Sequence, residues 1–468
     1  MQILTNRDAN RLMHEGSLAL SKVQSNGMRI DVDYCLKAQN QLVKDIVLLE
    51  EKIKGYRQTV HWQKVWGERF NIGSDQQLSY VLFDYMDLQP KGETKSKAPA
   101  MTTTVLEELA FELEESDNNG AAFIRDIMRR KKLEKALGTY IGGLLRETNA
   151  QGFLHPFFAL NTAVTYRSSS YSINFQNIPT RDDEIKKLIR TAFLPREGRQ
   201  ILEVDFKGIE VCVAYCYHDD PTMREYLLDP TKDMHRDMAM QLYILGPDEW
   251  NKKTRHAGKN KFVFPEFYGS YFKQVAPDLW KAIALNGLHV GKNNDGIDLR
   301  EHLRRKGIKT YDAFESHIQT IEDHFWNKRF PVYAQWKEDW YRSYRKIGYF
   351  DSHSGFRYRG LFKKNEAINY PVQGSAFHCL LWTLVHLQRW LEENNMRSLI
   401  IGQIHDSIVL DIIPKEKDAI LGWMVAFVKN GLPKIYPWLT IPMSVEAEIT
   451  PIGESWFSKK EISLEQYS

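Results

Sequence analysis

At 468 residues the chain is long enough to bury more than one core. Its 63 Lys+Arg against 60 Asp+Glu leave a net charge of only +3, so composition announces no nucleic-acid partner and any basic track must be local. Four scattered cysteines (Cys35, Cys212, Cys216, Cys379) with no CxxC pair argue against a zinc site or a disulfide framework, and without a signal-peptide pattern or an apolar run of about 18 residues the chain reads as a soluble protein of a reducing compartment, with no membrane partner.

Helical periodicity opens the chain from about Asp8, through Leu12, Ala19, Leu20 and Val23, and breaks at Ser25-Asn26-Gly27. Asp31-Val32-Asp33 caps a second helix carrying Leu36, Leu42, Ile46 and Leu49. Ser74 caps a third helix, Pro90 to Lys97 forms a polar basic loop, and Thr103 opens a fourth helix with Glu107 and Glu108 in its first turn. Between Ile124 and Leu145 an apolar helix pattern is interrupted by Arg129-Arg130-Lys131-Lys132, a run that serves either as a solvated face or along a phosphate backbone. Short extended segments begin at Phe153, and long helical patterns return after Asp205. The last quarter mixes strands (399–404, 407–412, 443–449) with two helices. The expected architecture is a helical N-terminal third, then an α+β body interrupted by a helical insertion.

Two segments carry the chemistry. Val204-Asp205-Phe206 and Ile404-His405-Asp406 each read as an apolar strand that stops on an aspartate. Mg²⁺ takes one or two carboxylates and completes its octahedron with water and phosphate oxygens. Two such carboxylates on one pair of ions are the minimum apparatus for two-metal phosphoryl transfer. Between them, Arg255 and Lys259 stand at i and i+4 on one helical face, with His235 upstream. Arg offers a planar fork and Lys a point charge able to donate a proton, a pairing suited to a triphosphate. The aromatics of Phe262-Val263-Phe264-Pro265-Glu266-Phe267-Tyr268-Gly269 follow, a flat surface for a base or sugar.

These residues resemble the motifs of family A DNA polymerases, the bacterial DNA polymerase I type. Asp205-Phe206-Lys207-Gly208-Ile209-Glu210 is similar to the first catalytic motif and Ile404-His405-Asp406 to the second. Arg255, Lys259, Phe264 and Tyr268-Gly269 resemble the nucleotide-binding helix. Thr165-Tyr166-Arg167-Ser168-Ser169, Asn174-Phe175-Gln176-Asn177-Ile178-Pro179 and Asn369-Tyr370-Pro371-Val372-Gln373-Gly374 fit in order, as do Phe70-Asn71-Ile72-Gly73-Ser74, Thr94-Lys95-Ser96, Gly27 to Val32 and Gly453-Glu454-Ser455-Trp456. The resemblance covers essentially the whole chain.

What it implies is an α+β right-hand polymerase with helical thumb, antiparallel-sheet palm and helical fingers. Its expected parts are N-terminal helices and thumb at 1–150, first palm part at 151–215, fingers at 216–362 and second palm part at 363–468. By the resemblance, Asp205 and Asp406, with the backbone carbonyl of Phe206, hold two Mg²⁺ ions, Mn²⁺ being the expected substitute. His235, Arg255 and Lys259 grip the triphosphate, Lys259 also counting as catalytic. Phe264 and Tyr268 flank the nucleotide, and Glu210 lies under its sugar, excluding a ribose hydroxyl. Phe at the sugar-side aromatic position implies strong discrimination against dideoxynucleotides, which Tyr there relaxes. Arg167, Gln373 and His405 reach the minor groove near the primer end, where acceptors are nearly alike for all base pairs. Asn174, Gln176, Asn177 and Asn369 complete the expected DNA contacts.

The implied activity is primer extension on a DNA template, with primer–template DNA and deoxynucleoside triphosphates as partners, in the cytoplasm of a bacterium or a phage-infected host. No proofreading domain fits upstream of the matched region, so a separate exonuclease or processivity subunit is a further partner to expect. Three departures stand out. Ser407 replaces the usual Glu after the second aspartate, as in single-subunit RNA polymerases, which keeps an RNA polymerase open as an alternative that Glu210 opposes. Lys259 and Phe264 are five positions apart where four is usual. Five steps turn a regular helix by roughly 140° past alignment, so either a π-bulge near Phe262–Pro265 restores Phe264 to the working face or Val263 takes its place. The charged stretch 277–318 is longer than the fingers require and suggests no role. A catalytically silent nucleic-acid-binding protein is the alternative from another class; retention of both aspartates with Arg255 and Lys259 opposes it.

Overall fold

Five antiparallel strands form the centre of the fold in this computed structural model, which describes residues 4–94, 96–114, 116–179 and 182–467. They are β1 (Gln200–Phe206), β2 (Leu399–Ile404), β3 (Ser407–Ile412), β4 (Val445–Ile449) and β5 (Lys460–Ile462), in the spatial order β5-β4-β1-β3-β2. Strand alternation sends Val204 and Phe206 of β1 into the core and leaves Glu203 and Asp205 half-buried on the other face. β3, wholly buried, lies against β1 with Ser407 opposite Asp205, and β4 lies on the other side with Glu446 opposite Asp205. One strand from before the long helical segment is therefore zipped between strands from after it.

A thirty-residue helix, Lys364–Glu393, packs against Ile209–His218 and against the first helix, Asn6–Asn26. Pro371 interrupts its hydrogen bonding, and the freed carbonyl of Ala367 accepts instead from the Trp340 indole at 2.9 Å. The first helix is tied to this core: Asn26 reaches the Ile400 carbonyl at 2.8 Å, and Arg389 pairs with Glu15 at 2.6 Å. Residues 53–127 build a second, smaller core around Trp62, Leu82, Leu109 and Phe123. The expected 1–150 unit thus contains two bodies, because the apolar face of the first helix finds the sheet's core and not the helices that follow it. Lys95 of the polar loop lies outside the described residues.

The basic run on helix Asn118–Lys135 has all four cations paired: Arg129 with Glu184, Arg130 with Glu50 and Glu134, Lys131 with Asp75, and Lys132 with Asp182 and Glu184. The Arg129 guanidinium holds the Glu184 carboxyl down at about 2. The run is spent on ion pairs with carboxylates of the protein, and Arg130 is buried among them. The charged stretch 277–318 buries Leu288, Leu299, Leu303 and Phe314 in the main hydrophobic core, and helices Phe272–Leu285 and Tyr311–His324 pack against each other. Lys281 crosses to Glu108 of helix Thr103–Glu112 at 2.8 Å, joining this stretch to the smaller body. Among the described residues no helix is long and apolar enough to cross a membrane.

Trp456, fully buried, is where the sheet meets the segment preceding β1. It stacks on Phe175 (5.6 Å), meets Phe193 edge-on (5.5 Å), lies under the Arg190 guanidinium (4.1 Å) and donates to Glu203 at 2.8 Å. Trp456→Ala is expected to cost about 3–5 kcal/mol, the range for truncating a buried aromatic. Denaturant titration checks this, and a loss below about 1 kcal/mol would contradict the packing described.

Candidate active site

Asp205 and Asp406 converge where β1 meets the β2–β3 hairpin. The hairpin turns in two residues, His405 and Asp406, between paired Ile404 and Ser407. So tight a reversal needs positive φ, which His405 adopts at +48°. The Gln403 amide steadies it by donating to the His405 carbonyl at 2.7 Å. The Phe206 amide donates to the Asp406 carbonyl at 3.1 Å, locking the two aspartate segments together. The expectation that each strand stops on its aspartate needs correcting. β1 runs one residue further to pair Phe206 with Val445, and Asp406 lies in the turn beyond β2. A strand's last apolar residue looks alike in sequence whether pairing ends before or after it.

Burial, and then the nearby Asp406, Glu203 and Glu446 charges, raise the Asp205 carboxyl above its ordinary range. Asp406 is raised as well, by burial and the Glu210 charge. Among the described residues no group of three or more His, Cys, Asp or Glu is arranged to hold a metal ion. Two crowded carboxylates without a pairing cation nevertheless fit a hard divalent ion that draws its other ligands from water and phosphate. Ser407, small and buried beside Asp205, gives its hydroxyl to the Ile404 carbonyl at 3.0 Å.

Gly208, at φ +59°, turns the chain from β1 into helix Ile209–His218 and sets Glu210 in its first turn. One Glu210 oxygen takes the Arg167 guanidinium and the other the Tyr268 hydroxyl. Arg167 also donates to the Gln373 carbonyl at 3.1 Å. These contacts close one wall of a cavity of about 470 Å³, lined further by Phe264, Asn369, His405 and Asp406.

The end of the cationic helix lines the same cavity through Phe264, Phe267 and Tyr268, without Arg255 or Lys259, and Asp205 lines a separate cavity of about 450 Å³ with Glu203, Glu446 and Lys459. Lys252–Gly258 is α-helical, Lys259–Val263 widens into a π turn, and Phe264–Phe267 resumes the α-helix. The Phe264 amide bonds to the Lys259 carbonyl, one residue further back than in an α-helix. The extra residue is absorbed there, overlapping the Phe262–Pro265 region where the sequence places a bulge. Phe262 and Val263 are fully buried in the protein, whereas Phe264 and Tyr268 line the cavity together with the largely buried Phe267. Lys259 lies 5.1 Å from the Phe264 ring, and the His235 ring meets the same ring edge-on at 5.6 Å. Burial and then the Lys259 and Arg255 charges hold His235 down at about 4, so it is neutral near pH 7. Its Nδ1 is buried with no hydrogen-bond partner among the described residues.

Not every expected residue joins the cavity. Asn174 and Asn177 are exposed on the short turn around Phe175. Gln176, read as a DNA contact, instead donates to Ser168 (2.7 Å) and Gln403 (2.9 Å), in the network that holds the His405–Asp406 turn. Asn369 and Asn365 bind the Tyr268 and Gly269 carbonyls at 2.9 and 3.0 Å, fixing the end of the cationic helix. Sequence reasoning missed Asp233, which caps helix Met234–Tyr243 and holds Arg255 at 2.6 Å. It also missed Gln403, whose only signal was one polar residue in an apolar strand.

Residues 39–290 and 301–458 match the sequence profile of DNA polymerase family A. DNA polymerase I of Lactococcus lactis subsp. cremoris is 26% identical over 476 residues, covering 98% of this chain and 47% of its own length. The thermostable DNA polymerase I of Thermus aquaticus is 27% identical over 458 residues, covering 95% of this chain and 48% of its own. The DNA polymerase of Bacillus phage SP01 is 26% identical over 428 residues, covering 86% of this chain and 41% of its own. The chain thus spans about half the length of the curated relatives it matches. The POL domain of Pol1 from M. smegmatis, in complex with DNA primer-template and dNTP, shares the fold at a TM-score of 0.73 with 21% identity, covering 95% of this chain and 70% of that one. The sheet is the palm of a right-hand fold, flanked by helical thumb and fingers, and the chain belongs to DNA polymerase family A.

Proposed function

We propose that this chain extends a DNA primer on a DNA template, joining the primer 3′-hydroxyl to the α-phosphorus of a deoxynucleoside triphosphate with release of pyrophosphate. The observation that carries this reading is the hydrogen bond that locks the Asp205 and Asp406 segments together, with Asp406 lining a cavity that the end of the cationic helix also lines through Phe264 and Tyr268. Asp205 and Asp406 would hold two Mg²⁺ ions, with the Phe206 carbonyl as a neutral ligand and Mn²⁺ as substitute. Bound there, the metal supplies the positive charge that acidifies the attacking hydroxyl and offsets charge on the phosphates.

The chain's own residues do the rest. Arg255, oriented by Asp233, and Lys259 bind the triphosphate, and Lys259 is placed to give a proton to the departing pyrophosphate. Neutral His235 packs edge-on against Phe264 beside these two cations. Phe264 packs on the sugar and Tyr268 on the base. Arg167, Gln373, Asn369 and His405 border the primer end, while Asn174 and Asn177 lie free for backbone contacts and Gln176 acts through the turn. The relatives come from bacteria and a phage, which supports work in the cytoplasm of a bacterium or an infected host. A separate exonuclease or processivity subunit remains part of the reading.

Glu210, drawn between Arg167 and Tyr268, stands where a 2′-hydroxyl would lie. Glu210→Ala is expected to raise ribonucleotide relative to deoxynucleotide incorporation by about tenfold or more, equivalent to some 1.4 kcal/mol of lost discrimination. Competitive single-nucleotide incorporation measures it, and an unchanged ratio would place sugar selection elsewhere. Ser407 favours the second reading, an RNA polymerase relative; a native preference for ribonucleotides in the same assay would establish it.

A further inference from the structure

We propose that Leu361 is a wedge that parts the first base pair of duplex lying ahead of the template being copied. The inference rests on the polymerase reading. Single exposed apolar residues are ordinary on protein surfaces. Leu361 differs in how it is presented and in what surrounds it.

Its side chain is 103% exposed relative to an extended peptide, yet both neighbours are anchored. The Tyr344 hydroxyl donates to the Gly360 carbonyl at 2.7 Å and accepts from the Phe362 amide at 2.7 Å. The Phe362 ring packs against Phe350 (5.6 Å) and Tyr370 (5.6 Å). The loop is therefore pinned on both sides of a leucine that touches nothing, and a rigidly held apolar side chain can insert between stacked bases.

The surroundings suit nucleic acid. From Arg342 to Lys364 the chain carries seven Lys or Arg and one acidic residue, Asp351. Arg342, Arg357 and Lys364 are paired with carboxylates, whereas Arg345, Lys346, Arg359 and Lys363 have no carboxylate partner among the described residues. Unpaired cations flanking an apolar tip provide phosphate contacts beside a point of unstacking.

The position follows from the direction of the cationic helix. A nucleotide held by Arg255 and Lys259 at its phosphates points its base toward Tyr268, so template that is not yet copied must arrive from beyond Tyr268. Beyond it lies a second cavity, of about 610 Å³, lined by Gly269, Trp326, Gln335, Lys364 and Asn365. Lys364 and Asn365 follow directly on the pinned loop, which places Leu361 on the approach to the site and away from its chemistry.

The test compares two substrates with the purified chain: a primer on a single-stranded template, and the same primer with a DNA strand annealed immediately ahead. Leu361→Ser is expected to leave open-template extension within about twofold and to slow extension through the annealed strand by about tenfold or more, the loss of one inserted side chain. Leu361→Met should behave as wild type on both. Equal slowing on the two substrates, unchanged displacement, or a wild type unable to displace the strand would each overturn the proposal. Failure of wild type on the open template would overturn the polymerase reading itself, a result distinct from the others.

Discussion

Asp205→Ala and Asp406→Ala should each abolish primer extension, by about a thousandfold or more, while leaving primer–template affinity nearly unchanged. Loss of a group that holds charge developing only in the transition state lowers turnover on this scale. Affinity for duplex comes mainly from phosphate contacts spread over the cleft. Extension assays beside equilibrium binding check both halves, and either variant retaining more than a few per cent of activity would remove that residue from the site. A second readout needs no activity. Both carboxylates are half-buried and raised by burial and by neighbouring negative charge. Asp205→Asn should therefore raise thermal stability in the absence of divalent ions, because it removes one of two crowded charges. A drop in melting temperature would contradict that electrostatic account.

Phe264→Tyr should relax discrimination against dideoxynucleotides by about ten- to a hundredfold, the range that one hydrogen bond to a charged group provides. The π turn at Lys259–Val263 turns Phe264 toward the cavity, against His235 and Lys259. Val263 is fully buried on the opposite side, so Val263→Tyr should destabilise the fold by overpacking without changing sugar selectivity. Dideoxynucleotide incorporation by the two variants side by side checks this. Selective relaxation by Val263→Tyr, with Phe264→Tyr inert, would mean that the helix rotates to the other register when substrate binds.

The residues of the site were legible because their chemistry leaves few substitutes. Two aspartates ending apolar runs, and an Arg and a Lys one turn apart ahead of an aromatic run, are visible without coordinates. The π turn was legible only as a problem of register. A shift of one backbone hydrogen bond leaves no side-chain signature, although Pro265, which lacks a donor, marks the neighbourhood. The part played by Gln176 was not legible, since a polar residue in a loop looks the same whether it faces DNA or a buried Gln403. The place of the first helix was equally hidden, because an apolar face declares that it has a partner without saying which. The stretch 277–318 showed only charge in sequence. Its apolar residues are buried in the main core, a place that only the fold reveals.

The measurement that bears most directly on the account is primer extension by the purified chain with Mg²⁺, comparing deoxynucleotides with ribonucleotides and wild type with Asp406→Ala. Template-dependent addition of deoxynucleotides is expected, absent without a divalent ion and absent in the variant. No addition by wild type at any primer end, or addition that survives in Asp406→Ala, would contradict the assignment of this cavity as the site of synthesis.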